Sequence, residues 1–179
     1  VRVDDRIFIA GTSALQEDGR VAYPDDVYGQ SKIAMETVQA VLEEAGGSLG
    51  ELVYSKTFLT DISNGDGHRR ARLETLGDIR PPWTLLGVPG LQYKEMLVEI
   101  EAEAVIGSTQ DRQTVYTENQ AEKARGYARA VRVGDIVHVS GCTSIDANRY
   151  QIDMAGEGIL STESGRVLPN NRFHLALGM

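Results

Sequence analysis

The opening of this chain returns near its end. Residues 1–11 (VRVDDRIFIAG) reappear as residues 131–141 (VRVGDIVHVSG), and Thr12-Ser13 reappears as Thr143-Ser144 behind an inserted Cys142. A fold unit that starts at residue 1 therefore starts again past residue 120, and a repeat of this kind constrains the architecture before any single element does. The 179 residues are enough for one ordinary domain, or for one domain and a fragment of another.

Hydrophobic periodicity fills in the first unit. Residues 6–10 read as a strand, and Glu17-Asp18-Gly19-Arg20 as a hairpin turn with Val21-Ala22-Tyr23 returning. Pro24-Asp25-Asp26 offers a carboxylate cap to a helix from Val27 to Ala45, where Ile33, Ala34, Val38, Val41, Leu42 and Ala45 share a face; Gly46-Gly47 stop it. Residues 52–60 alternate as a strand, 61–67 form a loop, and His68–Leu76 reads as a polar helix with Ala71, Leu73 and Leu76 as its small apolar side. Pro81-Pro82 enforce extended geometry, and residues 83–88 and 96–106 read as strands. On the last of these Leu97, Glu99, Glu101 and Glu103 point one way, and Met96, Val98, Ile100, Ala102 and Ala104 the other.

The order is thus ββαβαββ, an α+β fold with a mixed sheet and two helices on one face, whose second face must be buried by something else. The domain organisation predicted is 1–107 for this unit, 108–124 for a polar linker, 125–158 for a partial second copy with strands at 127–133, 136–141 and 150–154, and 159–179 for a tail without helical periodicity.

The net charge of −8 falls on residues 1–107, where 10 Lys and Arg meet 18 Asp and Glu. An acidic unit is a poor match for phosphate backbones, so nucleic acid is not expected as a partner. Apolar runs are too short for a membrane span, and Asp4 and Asp5 interrupt any signal-like start, so a cytoplasmic protein is expected. His68, His138 and His174 stand far apart with a single cysteine, which predicts no metal site and no cofactor. Cys142 has no basic neighbour in sequence and reads as a buried thiol, His68 as a solvated residue of a polar helix.

The ββαβαββ order, the Val-Gly-Asp start ending in Ser-Gly, the helix closing at Ala-Gly and the Val98-Glu99-Ile100-Glu101-Ala102 strand together resemble the RidA/YjgF family, also called endoribonuclease L-PSP. The resemblance implies a chorismate-mutase-like fold that assembles as a trimer with active sites between subunits. It also implies hydrolysis of reactive imines and enamines to 2-keto acids and ammonia, or deamination of 2-aminomuconate. Partners would be a small-molecule substrate and further copies of the chain, as a homotrimer or other homo-oligomer. Carried over residue by residue, Glu99 matches the family's water-activating glutamate. Pro81-Pro82-Trp83-Thr84 falls where the family has its Pro-Ala-Arg-Ser/Thr segment, so Trp83 stands in place of the substrate-binding arginine. Indole cannot make the guanidinium fork. Arg80 is a nearby cation, either reaching the cleft or facing solvent as a loop residue. Trp83 is either a cleft wall or a core residue. The family's strand tyrosine matches Tyr127, and its Ser-Gly pair matches Ala10-Gly11 in one copy and Ser140-Gly141 in the other. A shared cleft of Glu99, Trp83, Tyr127, Ser140 and Cys142 is one reading; a hairpin stub packed on the sheet is the other. Functionally, an imine or enamine deaminase stands against a non-catalytic binding or structural module, and the acidic charge weighs against a ribonuclease.

Overall fold

A computed structural model describes residues 1–117 and 119–143. Residues 1–141 form one compact unit and residues 142–179 a second; of the latter only Cys142 and Thr143 are described. The predicted strand at 150–154, the remainder of the second copy and the tail at 159–179 lie outside the described residues.

The chain begins with a hairpin, β1 (Arg2–Val3) and β2 (Arg6–Thr12), turned through Asp4 at φ 54°. No strand returns at residues 21–23. The turn forms, with Gly19 at a positive φ of 82° and the Gln16 and Ala22 N–H groups donating to the Arg20 and Ala14 carbonyls, but the pairing is an isolated bridge between Leu15 and Val21 rather than a strand. Helix α1 (Val27–Glu44) begins where Asp26 accepts the Tyr28 N–H and ends at Ala45, followed by Gly46 at φ 85°. It buries Ala34, Met35, Val38 and Leu42.

Strand β3 (Leu52–Leu59) leads into α2 (Gly65–Leu76), which starts three residues earlier than its periodicity predicts. Strands β4 (Trp83–Gly87) and β5 (Val98–Val105) complete a five-stranded sheet in the order β1-β2-β5-β3-β4. Only β3 and β4 are parallel, as the intervening α2 crossover permits. The sheet is mixed, with both helices on one face. Ile7, Ile9, Leu59, Val98, Ile100, Ala102 and Ala104 form that side of the core with α1.

The region read as a linker is partly ordered structure: a turn of helix, α3 (Ser108–Asp111), strand β6 (Gln113–Val115) and helix α4 (Gln120–Ala124). The repeated segment supplies β7 (Ala130–Val133) and β8 (Ile136–Val139), and the three strands pair as β6-β7-β8. Its hairpin repeats the first in register. Val3 faces Arg6 and Val133 faces Ile136; Arg2 faces Ile7 and Arg132 faces Val137. Gly134, at the place of Asp4, has φ 57°. This small sheet lies against the helix-free face of the large one, where Val131 and Ala128 bury Val53 and Val105. No helix among the described residues is long and apolar enough to cross a membrane.

Candidate functional site

Strand register separates the predicted site residues. Trp83 lies beside Ser55 and Glu99 opposite Phe58. Positions 55 and 58 of one strand point to opposite faces, so Trp83 and Glu99 do too. Within this chain they do not line one cleft.

Trp83 belongs to the helix side. It is 7% exposed, and its Nε1–H donates to Thr57 Oγ1 at 3.0 Å. Its ring stands 5.6 Å from the His68 ring and 6.2 Å from the Tyr127 ring, with the Arg72 guanidinium 4.8 Å above it. His68 is fully buried between Ser31 Oγ and Thr57 Oγ1, each 3.0 Å from a ring nitrogen, rather than solvated. Burial pushes its pKa down to about 3, with the Arg72 charge adding to the effect, so the ring is neutral. Arg72 donates to the carbonyls of Gly126, Arg125 and Pro81, and burial lowers it to about 9. The buried stripe of α2 is therefore His68, Ala71, Arg72 and Leu76, while Leu73 is exposed. Arg72 joins this core to the segment that begins the second copy.

Tyr127, Ser140 and Gly141 gather around the same edge of the sheet. The Trp83 N–H donates to Ser140 Oγ at 2.8 Å, Ser140 Oγ donates to the Ala128 carbonyl, and the Gly141 N–H donates to the Trp83 carbonyl at 3.3 Å. A Cβ on Gly141 would stand 3.0 Å from Thr84 Cγ2, and Thr84 Oγ1 hydrogen-bonds Tyr54 Oη at 2.8 Å on the helix-free face. These groups hold the second hairpin in place. Arg80 pairs with Asp78 at 2.8 Å, and its carbonyl accepts the Ala128 N–H. Cys142 is exposed, not buried, and belongs to the second unit.

Glu99 stands on the helix-free face with Glu101 and Glu103, all three half-buried. The other two are engaged: Glu101 by Lys56 at 3.0 Å, Glu103 by Arg6 and His138 at 3.6 Å each. Glu99 has no hydrogen-bond or ion-pair partner among the described residues. Its carboxylate lies on Gly11, where a Cβ would come within 2.7 Å of Glu99 Cδ. Strand β2 bulges between Ile9 and Thr12, which sets Gly11 beside that carboxylate; bulges commonly re-aim groups beside active sites. Gly11 is thus a site residue that the chain pattern alone did not single out, although its place in the family's Ser-Gly pair was a signal. Alongside runs a groove of about 290 Å³ lined by Phe8, Ala10, Tyr54, Lys56, Glu101 and Glu103, which Glu99 itself does not line. A half-buried carboxylate without a cation is chemically suited to accept a proton from water. No group of three or more His, Cys, Asp or Glu among the described residues is placed to hold a metal ion.

The sequence pattern of the family described as Endoribonuclease L-PSP matches residues 1–106. The chain belongs to this family. Among its relatives, an uncharacterised protein of Streptomyces coelicolor is 32% identical over 109 residues, covering 60% of this chain and 80% of that protein. A RutC family protein of Pyrococcus abyssi is 30% identical over 102 residues, covering 57% and 80%. The crystal structure of RidA from an Antarctic Psychrobacter matches with a TM-score of 0.55 at 27% identity, over 59% of this chain and 85% of that one. The α+β fold with its mixed sheet is thus that of the RidA/YjgF proteins.

Proposed function

We propose that this chain is a hydrolase for a small molecule of the imine or enamine kind, with Glu99 as the general base. The observation that carries the reading is the free carboxylate of Glu99 beside two neutralised neighbours, Glu101 and Glu103. Glu99 takes a proton from water as the water oxygen bonds to the imine carbon, and the C=N pair moves to nitrogen. The resulting carbinolamine then collapses to a carbonyl, and the nitrogen leaves as ammonia with the protons gained. Membership of the family supports the reading through the chemistry that the resemblance implies.

Trp83, read at the position of the family's arginine, is turned into the core, so it supplies neither a charge nor a wall beside Glu99. Lys56 and Arg6 are held by Glu101 and Glu103. The substrate favoured is accordingly one without a carboxylate that needs a bidentate clamp. The same observation supports a second reading, a binding or structural module that keeps the fold without the chemistry. Ribonuclease activity fits the acidic face poorly. A cytoplasmic location belongs to the first reading. So does assembly with further copies of the chain, as the resemblance implies.

An ammonia-release assay on small imines with and without a carboxylate decides between the readings. The hydrolase reading expects turnover above buffer that falls about 10²- to 10⁴-fold in Glu99→Gln, with the denaturation midpoint unchanged. No turnover leaves the non-catalytic module, and turnover indifferent to Glu99→Gln removes Glu99 as the base.

A further inference from the structure

Near its start, helix α1 buries an amide beside its apolar stripe. Gln30 is fully buried, and a buried amide persists only where its donors and acceptor are met. Its partners are all backbone groups. Oε1 accepts the Leu97 N–H at 2.8 Å, and Nε2 donates to the carbonyls of Glu95 at 2.7 Å and Tyr23 at 3.0 Å. Both Nε2 hydrogens are thus used, which fixes the orientation of the amide. Turned over, it would set N–H against N–H and oxygen against two carbonyl oxygens.

These bonds fall where β5 has least support from its neighbours. Strand β2 makes its last pairing with β5 at Thr12 and Ile100, and β3 at Leu59 and Val98. Glu99 stands at that end of the sheet, opposite Phe58. Beyond it the chain is held by the Thr60 N–H, which donates to the Leu97 carbonyl at 3.1 Å, and by Gln30. Leu97 and Glu99 share a face, so a slip of the backbone at Leu97 swings the Glu99 side chain with it. Tyr23 has a φ of 52°, which a bulky residue keeps only where its surroundings hold it. Its carbonyl accepts from Gln30 and from the Asp26 N–H. One amide therefore ties the loop before α1 to the start of β5.

We infer that Gln30 is a positioning residue for Glu99: by clamping residues 95–97 it holds the Glu99 carboxylate against Gly11. Its consequence for rate rests on the hydrolase reading; the placement itself rests on geometry alone. Gln30 is buried and meets no substrate, so it sets only where the base stands. A misplacement of about 1 Å costs rate on the order of 10²-fold.

Two variants and two readouts test this. Gln30→Met nearly keeps the volume and removes all three bonds. Gln30→Glu keeps an acceptor for the Leu97 N–H and, while protonated, one donor. Burial against two carbonyl oxygens holds that introduced carboxyl protonated above the ordinary carboxylate range, so it replaces the amide until it ionises. The first readout is the nuclear Overhauser cross-peak between Gly11 Hα and Glu99 Hγ, which needs no turnover. It is expected in the wild type, absent in Gln30→Met, and present in Gln30→Glu until rising pH removes it. The second is turnover per folded molecule. In Gln30→Met, kcat is expected to fall about 10²-fold with KM held within about twofold, and the change adds no loss in a Glu99→Gln background. In Gln30→Glu the loss appears only as pH rises. If Gln30→Met does not fold, the pH dependence of Gln30→Glu decides. A cross-peak that survives in Gln30→Met, or a loss of kcat that recurs in the Glu99→Gln background, overturns the inference. A wild type without turnover sinks the hydrolase reading alone, and the cross-peak then decides the role of Gln30 by itself.

Discussion

Residues 6–9 and 136–139 share a hairpin register and differ in what surrounds them. Ile7 and Ile9 lie under α1, whereas Val137 and Val139 face outward and His138 faces the sheet. Both strands are apolar enough on either face to be buried, so the alternation within the hairpin does not decide which side becomes core. The covering element decides. In the first copy that element is α1. In the second it is the helix-free face of a sheet already built, presented with Val53, Val105 and an open β4 edge.

The largest effect is expected where the second hairpin meets the first unit's core. Trp83→Ala removes the Thr57 hydrogen bond and the packing of His68, Arg72 and Tyr127 around one ring. It should cost about 3–5 kcal/mol in chemical denaturation; a change within about 0.5 kcal/mol, the surface expectation, would place Trp83 outside the core. Next comes a direct break of the comparison. Ile7→Ala should cost about 2–5 kcal/mol, and the equivalent Val137→Ala no more than about 0.5 kcal/mol. Equal costs would mean that both hairpins are buried alike.

Acid titration probes the same core. His68 is held neutral in the fold at a pKa of about 3 and protonates near its ordinary value of 6.5 when unfolded. The unfolded state thus binds more protons between these values. Its contribution is absent above pH 6.5 and destabilises increasingly below it, by about 1.4 kcal/mol per pH unit down to pH 3. Urea midpoints across this range should flatten in His68→Gln; an unchanged slope would remove His68 as the cause. The smallest effect separates Ser140 from Ala10. Ser140→Ala loses the buried link between the Trp83 N–H and the Ala128 carbonyl, about 1–2 kcal/mol, whereas Ala10→Ser, at an exposed position, should be neutral.

Much of the fold was legible in the chain. The spacing of Ala34, Val38 and Leu42 gives α1 almost to its ends, and the alternation of Val98 to Ala104 gives both faces of β5. The site was legible only in part. Glu99 follows from β5, but the face of Trp83 depends on the parallel register that sets it beside Ser55, and nothing within residues 81–88 encodes that pairing. Helix α2 misleads because its buried stripe contains His68 and Arg72, whose partners Ser31, Thr57 and the Gly126 carbonyl come from distant segments. A reading that follows apolar residues chooses Leu73, which is exposed, over Arg72, which is not. The thiol of Cys142 read as buried because no basic residue stands near it in sequence, which says nothing of its exposure.

Thiol labelling at equivalent positions tests the central claim most directly. In a Cys142→Ser background, single cysteines at positions 7, 8, 137 and 138 are exposed to a small disulfide reagent under native conditions. If the two copies are one hairpin buried on opposite faces, Phe8→Cys and Val137→Cys react readily, and Ile7→Cys and His138→Cys react slower by a factor on the order of 100, since they await local opening. Reaction at position 138 as fast as at position 8, or protection of position 137, would contradict it.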